Sequence, residues 1–292
     1  MNTRSFGERL FDAANVLFML LLIFATLYPF WYVLVASLGD AAWVAQQRGL
    51  IWFPSGFNLA AYKAVFDNPS IRSGYMNTLF IVVVGTSLNL LMTSLAAYGL
   101  SNNRVMLGKP LMFLIVFTMF FGGGLVPYYL LVTGLGMLDS LWALIIPGAI
   151  GTFNLIIMRT AFQEIPPSLV ESAKIDGAND FTILFRIVLP LSLPVVMVMV
   201  LFYGVAHWNS WFGAIIFIRS RELYPLQIIL REILITNSVD NMMVGMTTNN
   251  KVAVSTTIKY ATIIVATGPI MLLYPFLQKY FVKGVMIGAI KE

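Results

Sequence analysis

The chain of 292 residues has no cysteine and one histidine, His207. Without thiols there is no disulfide framework, no thiolate nucleophile and no zinc–thiolate centre. A lone histidine with no carboxylate near it in sequence is a poor metal ligand or general base. Charge is also scarce: 11% of the residues are Asp, Glu, Lys or Arg, against roughly 25% in soluble domains. No G-x-x-x-x-G-K-[ST] phosphate loop occurs, since the only Gly-Lys pair, Gly108-Lys109, runs into Pro110. The chain therefore does not cradle ATP in the usual manner. H-E-x-x-H and G-x-S-x-G are missing too, which argues against an intramembrane protease or hydrolase.

What is there is apolar. Hydrophobic residues make up 59% and mean hydropathy is +0.84, values of an integral membrane protein. Six runs approach the ~20 residues needed to cross ~30 Å of hydrocarbon: residues 16–38, 75–100, 111–131, 141–158, 191–211 and 260–280. The first is too long for a signal h-region and lacks a small-residue cleavage site, so it reads as a retained helix. The expected fold is all-α, a polytopic membrane protein with six transmembrane helices in one domain, 1–292, with no repeat and no linker. Net charge +5 with pI near 9.4 does not imply nucleic acid, because the basic residues are spread along loop edges. Arg4, Arg9, Arg104, Lys109, Lys279, Lys283 and Lys291 flank one set of span ends, whereas 132–140 has no basic residue. Both termini are thus expected to be cytoplasmic; Arg48, Lys63, Arg219 and Arg231 lie in long loops, where charge weighs little.

Between two apolar runs lies a polar loop, 160–190. Ser168-Leu169-Val170-Glu171 has the form of a capping box, with Pro167 ahead of it and Gly177 placed to end the helix in a left-handed turn. The chain can restart at Asn179 or Asp180 and run to Pro190. Helix breakers interrupt several spans: Gly122, Gly123, Gly124 and Pro127 in the third, Pro147, Gly148 and Gly151 in the fourth, Gly268 and Pro269 in the sixth. Such breaks either fit the bundle or serve gating.

Near the end of the fifth span, Tyr203, His207, Trp208, Asn209 and Trp211 admit two readings. They are an interfacial aromatic belt, or they line a substrate pathway in which aromatic faces stack on sugars and His207 and Asn209 offer hydrogen bonds. On a helix, Tyr203, His207 and Ser210 would share one face and Trp208 and Trp211 a neighbouring one. Thr78, Thr86, Ser87, Asn89 and Ser94 in the second span fit the same role or interhelical hydrogen bonding.

The order Glu171-x-Ala173, three residues, Gly177, nine residues, Ile187-x-Leu189-Pro190 resembles the cytoplasmic coupling motif of ABC-importer permeases, with Ser172 where that family usually has a second alanine. Asn77-Thr78, the run 96–101, the Gly-Gly-Leu-Val-Pro-Tyr run 123–128, Trp208-Asn209, Tyr224-Pro225-Leu226-Gln227 and the tail 278–284 resemble the carbohydrate-importing, maltose-type branch, nearest its oligosaccharide and polysaccharide permeases. The resemblance implies a type I importer permease fold in the bacterial cytoplasmic (inner) membrane, lodged in the lipid bilayer and translocating an oligosaccharide or polysaccharide. It implies a second homologous permease, two ATPase subunits and an extracytoplasmic solute-binding protein as partners, with no nucleic acid. ATP and Mg belong to the ATPases, so this chain is no enzyme and holds no cofactor. Glu171, Ser172, Ala173, Asp176 and Gly177 would couple it to the ATPase: Glu171 by polar contact, Ala173 by close approach, Gly177 by the bend. The tail 283–292 would reach the ATPase pair. Alternatives remain: a permease for amino acids or phosphate, a membrane protein of structural or assembly role, or an ion-coupled secondary transporter. The last is disfavoured because Asp139 and Glu164 lie at span ends and no carboxylate sits mid-span.

Overall fold

The computed structural model describes residues 6–47, 49–102, 105–235 and 248–289; Arg4, Arg48, Arg104 and Lys291 lie outside these, as do the side chains of Lys279 and Lys283 and of the tail from 283 on. Among the described residues every regular element is helical. The longer helices are α1 (Phe6–Leu38), α2 (Pro69–Ser101), α3 (Gly108–Phe120), α4 (Leu125–Gly134), α5 (Thr152–Gln163), α6 (Pro167–Ile175), α7 (Leu193–Trp208), α8 (Leu226–Ile235) and α9 (Thr248–Ala289).

Among the described residues three helices are long and apolar enough to cross a membrane alone: α1, α2 and the stretch Val254–Leu273 of α9. Two more spans arise if bent pairs are counted, α3 with α4 at 113° and Asp180–Leu191 with α7 at 88°. That makes up to five spans by length and composition among the described residues, so the six of the sequence reading are not matched one for one. The third breaks at 121–124, where Gly124 takes φ +83°, a conformation glycine adopts without a Cβ penalty. The fourth is only the short helix Trp142–Ile145, a turn, and then α5. Pro147 lacks an N–H and Gly148 follows it, which weakens the helix there, although Ile146 itself keeps helical φ −65° and ψ −47°. The sixth, by contrast, runs through Gly268-Pro269 as one helix, with Pro269 and Pro275 inside it. The fifth begins at Leu193, after the bend at Ser192, and stops at Trp208.

Contacts group the chain into two compact units, Met1–Pro69 with Leu230–Gly268, and Ser70–Ile229 with Pro269–Glu292. In the first, the most apolar window of α1 has none of its residues buried, as for a helix that is apolar all round and meets lipid. The segment after it folds back: Tyr28 Oη accepts from the Ile51 N–H at 3.0 Å, the Trp31 ring N–H donates to the Trp52 carbonyl at 2.9 Å, and Trp52 lies 5.4 Å from the Tyr28 ring.

The second unit is organised by α2. Most of its buried positions, Ile71, Gly74, Thr78, Ile81, Gly85, Asn89, Thr93 and Ala97, recur every three or four residues and form one stripe, which Thr86 and Ser94 widen. That stripe is small and polar, while Met76, Val83 and Leu91 are exposed. This is the pattern of a membrane helix whose small face admits neighbouring backbone closely. Ala97 joins Leu155, Met158 and Phe162 of α5, Ile183, Leu184 and Val188, and Met199 and Tyr203 of α7 in one buried cluster.

Candidate functional site

The polar loop is held out from this cluster as a short, well-terminated helix. The helix α6 starts a residue before the expected capping box: Pro166 is the N-cap, Pro167 occupies the first turn, and no side chain caps the end. Proline suits that position because its missing N–H is one that the first turn leaves unpaired anyway. At the other end Gly177 has φ +83°. Its N–H donates to the Lys174 carbonyl at 3.1 Å, and the Ala178 N–H donates to the Ala173 carbonyl at 2.9 Å. These are the two bonds of a Schellman stop. Of the two candidate caps, Asn179 begins the next helix, its side-chain oxygen accepting from the Thr182 N–H at 2.8 Å. That helix does not end at Pro190 but passes through a π-helical turn, Leu184–Val188, and continues to Leu191.

Of the five expected coupling residues, Glu171, Ser172, Asp176 and Gly177 are exposed, whereas Ala173 is half-buried and packs with Val170 on the chain's own core. Ala173 thus seats α6 on its own chain. The outward face instead shows Leu169, 44% exposed, and Ile175, 86% exposed, two residues the sequence reading did not single out. Their signal was an apolar residue inside a polar island. Beside α6 is a cleft of about 310 Å³ lined by Tyr98, Phe162, Gln163, Glu171, Lys174 and Val188. Lys174 Nζ lies 3.1 Å from Asp180 Oδ1, which also accepts from the Tyr98 hydroxyl at 3.2 Å. The ion pair is exposed and contributes little stability by itself, but it bridges α6, the following helix and the end of α2. Arg159 Nε donates to the Leu100 carbonyl at 2.9 Å, satisfying the last turn of α2 with a cation, the sign its dipole favours.

The five expected pathway residues separate. Tyr203 and Trp208 are each 6% exposed. His207 is half-buried, Asn209 exposed and Trp211 40% exposed. Because α7 ends at Trp208, neither Ser210 nor Trp211 shares a helical face with the residues above it, and Asn209 turns back to the Val205 carbonyl at 3.0 Å. Tyr203 and His207 both address α2. His207 Nε2 is 2.6 Å from Asn89 Oδ1, and Asn89 Nδ2 donates to the Gly148 carbonyl at 2.6 Å. The Tyr203 hydroxyl is 2.7 Å from Thr93 Oγ1 and accepts from the Gly151 N–H at 3.0 Å. Backbone groups released by the break at 146–151 are thereby satisfied by side chains, which an interior without water requires.

The motifs Asn77-Thr78 and Tyr224-Pro225-Leu226, far apart in sequence, meet. Asn77 Nδ2 donates to the carbonyls of Glu222 at 2.7 Å and Tyr224 at 3.1 Å, and the Leu226 N–H donates to Thr78 Oγ1 at 2.9 Å. Asp139, with φ 59°, accepts from the Arg219 and Ser220 N–H groups at 2.8 Å each and from the Ser220 hydroxyl. The Ser220 hydroxyl first, then these N–H groups, hold its carboxyl below the ordinary Asp value. A carboxylate with a lowered folded-state pKa stabilises above its unfolded pKa and loses that contribution as pH falls through the folded one. Asp139→Asn should therefore lower thermal stability at neutral pH, and the difference from wild type should shrink as pH falls below the ordinary Asp value of about 3.9 and vanish below the lowered folded value. A difference that persists in acid would assign the loss to packing.

Residues 79–287 match the family described as binding-protein-dependent transport system inner membrane component. The chain is 44% identical over 284 residues to the polygalacturonan/rhamnogalacturonan transport system permease protein YtcP of Bacillus subtilis (strain 168), covering 97% of this chain and 99% of that one. It is 26% identical over 285 residues to the arabinooligosaccharides transport system permease protein AraQ of the same organism, covering 95% of each. Among solved structures it resembles a chain of a bacterial ABC transporter involved in the import of the acidic polysaccharide alginate, with TM-score 0.87, 30% identity and coverage of 96% of this chain and 100% of that one.

Proposed function

The chain belongs to the binding-protein-dependent transport system inner membrane components, multi-pass membrane permeases, and from that premise we propose that it translocates an oligosaccharide or polysaccharide inward while a separate subunit hydrolyses ATP. One observation carries the coupling role. The helix α6 is tethered through Val170 and Ala173, stopped by Gly177, and presents Leu169, Glu171, Ser172, Ile175 and Asp176 outward. A short helix with two exposed apolar residues in a polar loop fits a cleft on a second protein, here an ATPase subunit that holds ATP and Mg. A second permease subunit, two ATPases and an extracytoplasmic binding protein complete the assembly. Both termini and α6 then lie on the cytoplasmic side. Saccharide cargo is favoured by relatives whose names carry polygalacturonan, rhamnogalacturonan and arabinooligosaccharides, and by a structural neighbour that imports alginate. Asn209 and Trp211, both exposed, are the pathway candidates that remain open to cargo.

The test uses the absence of native cysteine. Ile175→Cys should react with an impermeant maleimide in inverted but not right-side-out vesicles, and co-expressed ATPase subunits should protect it. Labelling from outside, or no protection by an ATPase that copurifies, would overturn the docking. Uptake of labelled galacturonan oligosaccharides by the complete importer, competed by unlabelled saccharide and not by amino acids or phosphate, is the expected cargo result.

A further inference from the structure

We propose that Asn89, Thr93, Tyr203 and His207 form a clamp that makes the coupling limb move with α2 and α7 as one body, so that they are positioning residues for transport. The inference rests on the coupling role proposed for α6.

The limb is short and stiff. The helix α5 ends at Gln163, and α6 begins at Pro167. The link keeps helical-type bonds from Glu164 N–H to the Ala161 carbonyl and from Ile165 N–H to the Phe162 carbonyl, at 3.3 and 3.4 Å. A push on α6 is therefore delivered to α5. The far end of α5 is the break at 146–151, where a displaced helix would otherwise slide, because broken backbone has no ladder to resist it. Two side-chain bridges fasten it there. Asn89 holds the Gly148 carbonyl and Tyr203 holds the Gly151 N–H. Each is itself tied to the facing helix, Asn89 to His207 and Tyr203 to Thr93. Because Asn89 Nδ2 is committed to a carbonyl, its oxygen faces the imidazole, and His207 must carry a proton on Nε2. Gly85 fits this arrangement: a Cβ there would lie 2.6 Å from His207 Nε2.

The test separates positioning from folding. The variants are Asn89→Leu, His207→Leu and Tyr203→Phe, with His207→Gln as the conservative control because its amide can still donate to Asn89 Oδ1. In the reconstituted importer with loaded binding protein, the three disrupting variants should assemble in normal yield and keep basal ATP hydrolysis. The stimulated-to-basal ratio should fall about tenfold, as for loss of one buried hydrogen bond coupled to the moving step, and His207→Gln should retain it. A second measurement does not depend on the ATPase: spin labels at Thr160→Cys on α5 and Ala206→Cys on α7, both exposed positions, should give one narrow distance distribution that broadens in the Leu variants. An unchanged distribution overturns the clamp whatever the ATPase does. Wild-type protein with a narrow distribution but no ATPase stimulation counts instead against the coupling role. Loss of assembly in all four variants, His207→Gln included, would make the cluster structural only.

Discussion

Replacing Gly177 by proline should leave the protein inserted and abolish coupled transport, with uptake down at least about a hundredfold, the equivalent of the ~3 kcal/mol or more that a misplaced proline costs. Three features of the turn are lost together. Proline is fixed near −65° and cannot take φ +83°. It has no N–H to give the Lys174 carbonyl. Its ring also disfavours the near-helical ψ of 4° that Asp176 adopts as C-cap. The space around Gly177 is open, with no heavy atom within 4 Å of an added Cβ, so alanine carries only the left-handed penalty of roughly 1–2 kcal/mol. Asparagine, which tolerates that region, carries less. A series Gly, Asn, Ala, Pro should therefore descend in that order when binding-protein-stimulated ATP hydrolysis and uptake are measured in proteoliposomes. Proline behaving like wild type would remove the bend from the mechanism, and alanine as damaging as proline would mean that contact at this position matters more than backbone geometry.

How far the sequence disclosed this design depended on the range of the interactions. The turn at Gly177 was legible because each of its signals is local: Pro167, the glycine and the cap at Asn179 act within a few residues of one another. Even there, the competition between Ser168 and Pro166 for the helix start was decided by proline at the first position, which a capping-box pattern does not weigh. The breaks at Gly124 and at 146–151 were legible as breaks, but not the 113° that the first one turns through. A glycine licenses a direction without choosing it; the neighbours choose. Of the polar residues grouped in the second span, Thr78 and Asn89 do bond other segments, but Ser87 is exposed and bonds its own helix at Val83, and Thr93 was not in the group. The partners were not visible, because Asn89 and His207 are 118 residues apart and Thr93 and Tyr203 are 110 apart. Read as a helical face alone, Tyr203 and His207 looked like a pathway lining. The structure turns them toward α2, where Tyr203 accepts from the Gly151 N–H and His207 holds the Asn89 side chain that donates to the Gly148 carbonyl. The family resemblance extended the reading further than periodicity could, and the match over residues 79–287 bears it out.

Gly85→Ala should be among the most damaging single-methyl changes in the second unit. The added Cβ would stand 2.6 Å from His207 Nε2 and 2.9 Å from Cε1, distances no packed carbon keeps, and the ring it meets is held in place by its bond to Asn89. Either α2 moves away from α7, or the imidazole swings out. The first opens the buried stripe; the second leaves Asn89 Oδ1 buried without its donor. Overpacking costs about 1–3 kcal/mol and an unsatisfied buried acceptor a similar amount, so a loss of several degrees in thermal unfolding of the detergent-solubilised chain is expected. A steric cause has a specific signature. His207→Ala removes the obstructing ring, so the double variant Gly85→Ala, His207→Ala should be more stable than the sum of the two single losses predicts, by about 1 kcal/mol or more. Gly74 provides the contrast within the same helix. There the nearest atom to an added Cβ is the mobile Ile229 Cδ1, but the Leu226 backbone lies 3.2 Å away, and backbone cannot be trimmed by substitution. Ile229→Ala should therefore rescue Gly74→Ala only in part, whereas His207→Ala should relieve most of the clash at Gly85. Strict additivity at Gly85 and His207 would clear the imidazole as the cause of the damage; helix propensity is not a substitute cause, since glycine to alanine favours the helix.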